Sequence, residues 1–191
     1  MPRTHAHQPG HQGAISLALR PPTSLDGNRV HALIERCPPL DRNSLYCNLL
    51  QCSMFADTCT LAESEHGIAG FVSGFLQPAA PHTLFIWQVA VAPEMRGHGL
   101  GIRMLLELLA RPACRNVHEL QTTITPDNQA SWSLFGSLAR RLNTPIVEQP
   151  LFERTKHFNN LHDTEMLIVL RNVSPTAVTS SRLTADLMTL T

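Results

Sequence analysis

The chain has 191 residues, 43% of them hydrophobic, with 15 basic and 15 acidic side chains and no net charge at neutral pH. That is enough apolar material for the core of one domain, and the charge balance excludes the basic footprint of a protein that grips nucleic acid or an anionic membrane. No stretch approaches the roughly 20 apolar residues of a membrane span, and the first residues, MPRTHAHQPGHQG, lack the apolar heart of a signal peptide, so a cytoplasmic protein is expected.

In chain order, residues 1–13 are rich in Pro, Gly, Gln and His, including His5, His7 and His11, and are expected to form a disordered extension. One domain is expected over 14–171, followed by a flexible Ser/Thr-rich tail over 172–191. Ile15–Leu19 reads as a first strand, ended by Pro21-Pro22. Thr23 or Ser24 can cap a helix that runs to about Arg36, with Val30, Leu33 and Ile34 on its apolar face. Pro38-Pro39 stops it, and Ser44 can cap a second, short helix. Thr58–Glu63 and Ile68–Leu76 read as strands around a turn at Glu65-His66-Gly67. Thr83–Val91 is a central strand and Gly99–Ala110 an amphipathic helix. Val117–Thr125 is a further strand, Asp127 or Asn128 caps a helix over 128–140, and Leu151–Lys156 and Glu165–Leu170 are the last two strands. The five cysteines, Cys37, Cys47, Cys52, Cys59 and Cys114, are odd in number and lack a C-x-x-C pair. Buried reduced thiols are expected, and no metal site.

The chemistry starts in the turn between the central strand and the helix after it, Arg96-Gly97-His98-Gly99-Leu100-Gly101. Glycines at 97, 99 and 101 remove the Cβ atoms that would hold a ligand away from the backbone. The first amides of the helix have no partner inside it, and with the helix dipole they suit a phosphate or diphosphate. Arg96 adds a forked cation. The Lys of a Walker loop is absent, and G-x-G-x-G is not the G-x-G-x-x-G of dinucleotide folds. A tight packing turn is the other reading of the loop.

Arg96, Gly99 and Gly101 after such a strand resemble the Arg/Gln-x-x-Gly-x-Gly/Ala signature of the GNAT acetyltransferases. The resemblance implies an α/β (α+β) GNAT fold, with a mixed central sheet that splays between its fourth and fifth strands and is flanked by helices. It implies acetyl-CoA as co-substrate. Its diphosphate would lie on Arg96, Gly97, His98, Gly99, Leu100 and Gly101, its pantetheine along Val89, Ala90 and Val91, with Asn128 and Ser131 bonding the same arm. Longer segments are more specific: LDRNSLY at 40–46, GFVSGFL at 70–76, TLFIWQVAV at 83–91 and TTITPDN at 122–128 are similar to the L-2,4-diaminobutyrate acetyltransferases of ectoine synthesis. That resemblance implies acetyl transfer to the γ-amine of diaminobutyrate and a homodimer. Another small diamine or a protein N-terminus is the alternative acceptor.

An alkyl ammonium has a pKa of about 10.4, so the acceptor must lose a proton before it can attack, and carboxylates are expected around it. By resemblance Asp41 contacts a substrate amine and Tyr46 lines the acceptor pocket; Asp41 could instead cap the second helix. Trp87 would wall the methylene stem, on the same face as Val89 if the strand is regular and not if it bulges. Glu165 and His162 complete the acceptor side, with a solvated turn as the other reading of His162 and Asp163. Asp41, Trp87 and Glu165 are the expected catalytic set. Phe135 stands where many relatives carry a tyrosine that protonates the leaving thiolate.

Overall fold

A computed structural model describes residues 16–173. The expected extension over 1–13, with His5, His7 and His11, lies outside the described residues, as does the tail beyond Val173. The elements are β1 (Ala18–Arg20), α1 (Gly27–Glu35), α2 (Leu45–Ser53), β2 (Thr60–Ser64), β3 (Gly67–Gln77), β4 (Ala80–Val91), α3 (Leu100–Leu109), β5 (Glu119–Ile124), α4 (Gln129–Leu142), β6 (Ile146–Phe152) and β7 (Glu165–Arg171). They form one mixed sheet in the order β1-β2-β3-β4-β5-β7-β6. Every neighbouring pair is antiparallel except β4 and β5.

The parallel pair is short. It runs from Thr83 opposite Glu119 to Ile86 opposite Thr122 and stops. Thr122 Oγ1 donates to Ile86 O at 3.0 Å, the last stitch before the strands part. Beyond it β4 continues to Val91 bonded to β3 alone, which is the expected splay between the fourth and fifth strands.

Each face of the sheet has its own core. α3 and α4 lay Leu105, Leu106, Leu108, Phe135 and Leu138 against Val72, Leu84, Ile86 and Leu120. On the other face Val30, Leu33, Ile34 and Cys52 of α1 and α2 cover Leu61, Phe71 and Ala90. Ser44 caps α2 as expected, its side chain accepting from Cys47 N–H. α1 begins later than its cap suggested, because Thr23 first closes a 3-10 turn over Ser24–Asp26. Asp26 is buried there, held by Arg20 Nη1 at 2.7 Å and Nη2 at 2.9 Å and by Thr23 N–H at 2.8 Å. The Arg20 guanidinium, ahead of burial, keeps this carboxyl well below the usual carboxylate range.

Two expectations need correction. The strand expected at Leu151–Lys156 is β6, Ile146–Phe152. It is an edge strand that pairs only with β7 and is exposed along most of its length, so neither a period of two nor an apolar run marks it. The tail does not begin at Asn172: Val173 is buried and its N–H donates to His118 O at 3.0 Å.

Candidate active site

β4 carries a bulge. Ser73 of β3 pairs with Gln88 and Gly74 with Ile86, so Trp87 is one residue too many on its side of the ladder. Upstream, Leu84 and Ile86 face the α3–α4 core; downstream, Val89 and Val91 pack against that core while Ala90 faces α1. Trp87 therefore does not share a face with Val89, and the regular-strand expectation is set aside. Trp87 meets Phe75 edge-on at 6.4 Å on the α2 side and remains 47% exposed. Gln88 points to the same side: its Nε2 donates to Asp41 O at 2.9 Å and its Oε1 accepts from Asn43 Nδ2 at 3.1 Å.

A cleft of about 610 Å³ opens where β4 and β5 part. Asp41 and Asn43 line it from the α1–α2 loop, Trp87 to Val89 from β4, Thr122 to Thr125 from β5, Asn128, Ser131 and Phe135 from α4, and Arg154, His162, Asp163 and Glu165 from the β6–β7 segment. The structure thus brings together Asp41, Trp87, His162 and Glu165, although 124 residue numbers separate the first and last. Asp41 does not cap α2, since Ser44 does. Tyr46 is not in the lining; it is 70% exposed, because α2 buries Asn48, Gln51 and Cys52 and so turns Tyr46 outward.

The β6–β7 segment is held by its own bonds. Arg154 N–H donates to Thr164 Oγ1 at 3.1 Å, Asn160 N–H to Arg154 O at 2.9 Å, and Phe158 packs on His162 with ring centres 4.7 Å apart. Asn159 and Asn160 take positive φ of 50° and 64°, which suits asparagine. His162 Nδ1 bonds to Asp163 O at 2.8 Å, and its Nε2 lies 3.9 Å from Glu165 Oε1. That carbonyl bond, with the fields of Glu165 and Asp41, raises the His162 pKa above its ordinary value against the opposing effect of burial.

The cofactor end is made of backbone. The sides of β4 alternate, and Ala92 N–H donates to Ala69 O on β3. Val91 O accepts from Arg96 Nε at 3.1 Å and Cys37 Sγ at 3.3 Å on the side away from β3. Val89, two residues earlier, directs its amide to that same open side, where β5 has gone. Gly97 and Gly99 have φ of 81° and 72°, and a Cβ on either would meet no atom within 4 Å. The loop therefore presents bare, left-handed backbone to open space. Gly101 is different: its Cβ would lie 3.1 Å from Leu134, so this glycine also lets α3 and α4 approach. The ladder of α3 opens with Arg103 N–H to Gly99 O at 3.1 Å, so the amides of Leu100, Gly101 and Ile102 precede it. His98 is exposed, whereas the Leu100 side chain is buried in the core, which leaves only its amide for a ligand. On α4, Asn128 Oδ1 caps the helix by accepting from Ser131 N–H at 3.1 Å, and both residues also line the cleft. Phe135, 3% exposed, lines the cleft with no proton to offer. An acyl-CoA arm fits this arrangement: bare glycine backbone and helix amides for its diphosphate, and a splayed strand edge for its amides.

Sequence reasoning missed Gln88, Asn43 and Arg154. Gln88 carried a signal: an amide inside the apolar run TLFIWQVAV has to find hydrogen-bond partners when buried. Among the described residues no group of three or more His, Cys, Asp or Glu side chains could hold a metal ion, and no helix is long and apolar enough to cross a membrane.

Residues 28–139 match the acetyltransferase (GNAT) family, and the splayed sheet with its glycine loop is the fold of that class. The chain is 50% identical over 152 residues to the L-2,4-diaminobutyric acid acetyltransferase of Methylotuvimicrobium alcaliphilum, covering 80% of this chain and 88% of that one. It is 46% identical over 157 residues to that of Vibrio cholerae, covering 82% and 91%. The solved diaminobutyrate acetyltransferase EctA of Paenibacillus lautus, in complex with L-2,4-diaminobutyric acid and coenzyme A, superposes with a TM-score of 0.80 at 37% identity over 84% of this chain and 97% of that one. The chain belongs to the GNAT acetyltransferases and, within them, to the L-2,4-diaminobutyric acid acetyltransferase family.

Proposed function

We propose that the protein transfers the acetyl group of acetyl-CoA to the γ-amine of L-2,4-diaminobutyrate, giving N4-acetyl-L-2,4-diaminobutyrate for ectoine synthesis. The single observation that carries this is the meeting of two unlike half-sites in one cleft, the open edge of β4 at Val89 and the carboxylates Asp41 and Glu165 with His162 beside them. Acetyl-CoA supplies an acyl carbon activated as a thioester; the γ-nitrogen bonds to it as the C–S bond breaks, and the proton of that nitrogen leaves toward the carboxylates. The Val89 amide is suited to stabilise the oxyanion that develops on the carbonyl. Asp41 and Glu165 attract the substrate ammonium groups and accept a proton directly or through water, with His162 beside Glu165 as a relay. Trp87 walls the methylene stem and faces an ammonium. Arg96 and the amides of 97–101 hold the diphosphate, and Asn128 and Ser131 the pantetheine arm.

Transfer is direct. Burial raises the Cys47 thiol above its ordinary pKa and pushes Cys52 up to about 12, so neither offers a thiolate near neutral pH. With Phe135 in place of a general acid, the thiolate of CoA leaves unaided or takes a proton from water. The enzyme works in the cytoplasm and as a homodimer, a reading that rests on family resemblance. Incubation with acetyl-CoA and diaminobutyrate should release one thiol per N4-acetyl product. No release above the background without amine would overturn the substrate, and a faster rate with ornithine, lysine or a peptide would replace it.

A further inference from the structure

Diaminobutyrate carries two amines and one carboxylate, and the groups proposed above deal only with the amines. The cleft wall is strongly acidic at Asp41, Asp163 and Glu165, which leaves the substrate carboxylate in need of a cation. Among the described residues that line the cleft, Arg154 is the one with a permanent positive charge. Its backbone is fixed at both ends, by the N–H bond to Thr164 Oγ1 and by the carbonyl that Asn160 caps. Its Nη1 donates to Asp163 Oδ1 at 2.9 Å with both side chains about half exposed, so the pair is held in water rather than sealed. A guanidinium has five N–H donors, and that bond uses one of them.

We infer that Arg154 is the specificity residue for this substrate: it receives the α-carboxylate, and Asp163 holds the guanidinium at the cleft mouth until the carboxylate arrives. The inference rests on the diaminobutyrate reading above. It explains how a pocket lined with carboxylates accepts an amino acid instead of preferring a plain diamine. The guanidinium fork matches a carboxylate bidentately, which a lysine at the same place would do less well.

The test compares diaminobutyrate with 1,3-diaminopropane, which has the same two amines and no carboxylate, by thiol release or, for slow turnover, by competition against diaminobutyrate. Arg154→Gln should lower kcat/KM for diaminobutyrate roughly ten- to a hundredfold, mostly through KM, the scale of one charge-assisted hydrogen-bond pair. It should leave 1,3-diaminopropane and the KM for acetyl-CoA nearly unchanged, so that the preference between the two amines collapses. Arg154→Lys should restore part of the preference. Equal losses on both amines, or no loss on diaminobutyrate, would overturn the inference. A wild-type protein inert toward diaminobutyrate but active on 1,3-diaminopropane would overturn the reading beneath it instead.

Discussion

The two ends of the cleft are built from different materials. At the cofactor end the working groups are main-chain amides: Val89 on the open edge of β4, bare backbone at Gly97 and Gly99, and the first turn of α3. At the acceptor end they are side chains from three places far apart in the chain, the carboxyl of Asp41, the indole of Trp87 and the ionisable groups of His162 to Glu165. A backbone site tolerates many sequences but no change of conformation. A side-chain site tolerates small movements of its loops but no change of charge. Substitutions should therefore fail differently at the two ends.

The largest effect should come from charge at the acceptor end. Asp41→Asn keeps the shape and removes one carboxylate, and kcat/KM for diaminobutyrate should fall about 100-fold or more while the KM for acetyl-CoA barely moves. A matching loss of acetyl-CoA affinity, measured by isothermal titration, would erase the distinction between the ends. A smaller effect should come from conformation at the cofactor end. Gly99 has φ of 72°, which a β-branched residue avoids. Gly99→Val should cost about 1–2 kcal/mol of stability and raise the KM for acetyl-CoA roughly tenfold. The diaminobutyrate KM at saturating acetyl-CoA should stay put in initial-rate assays.

The smallest effect on the site should come from Asp26, which lies under α1, outside the cleft lining. Its carboxyl is held by Arg20 below its unfolded value, so its contribution is complete above about pH 4 and is lost as pH falls from there toward the lower folded value. Asp26→Asn should therefore lower the melting temperature near neutrality, flatten its decline in acid, and leave kcat unchanged. An Asp26→Asn protein that melts like wild type at about pH 7 would remove the linkage.

The same contrast explains what could be seen in the sequence. The glycine loop and its helix are contiguous and obey local rules, so Arg96 to Gly101 are legible as a unit, and the cap at Asn128 is legible by the same local rules at the start of α4. Resemblance brought in Asp41, Trp87 and Glu165, which local pattern alone does not connect. Tyr46 lies outside the cleft lining because helical phase, set by the burial of Asn48, Gln51 and Cys52, turns it to solvent. β6 was displaced because an exposed edge strand containing Pro150 leaves no periodic trace. Arg154 escaped notice because the value of a cation depends on which charges surround it, and those neighbours meet only after folding.

The extra residue in β4 works as a gear change. Trp87 and Gln88 are adjacent in the chain yet point the same way, so the aromatic wall and the latch that holds the carbonyl of Asp41 travel as one piece. Excising Trp87 would restore a regular ladder: Gln88 to Val91 would keep their faces and Val89 its open-side amide, while the indole and the local bend that sets it beside Asp41 would be lost. This short kink is therefore the hinge pin between donor and acceptor: deletion of Trp87 should lower kcat/KM for diaminobutyrate while the KM for acetyl-CoA stays nearly unchanged in initial-rate assays.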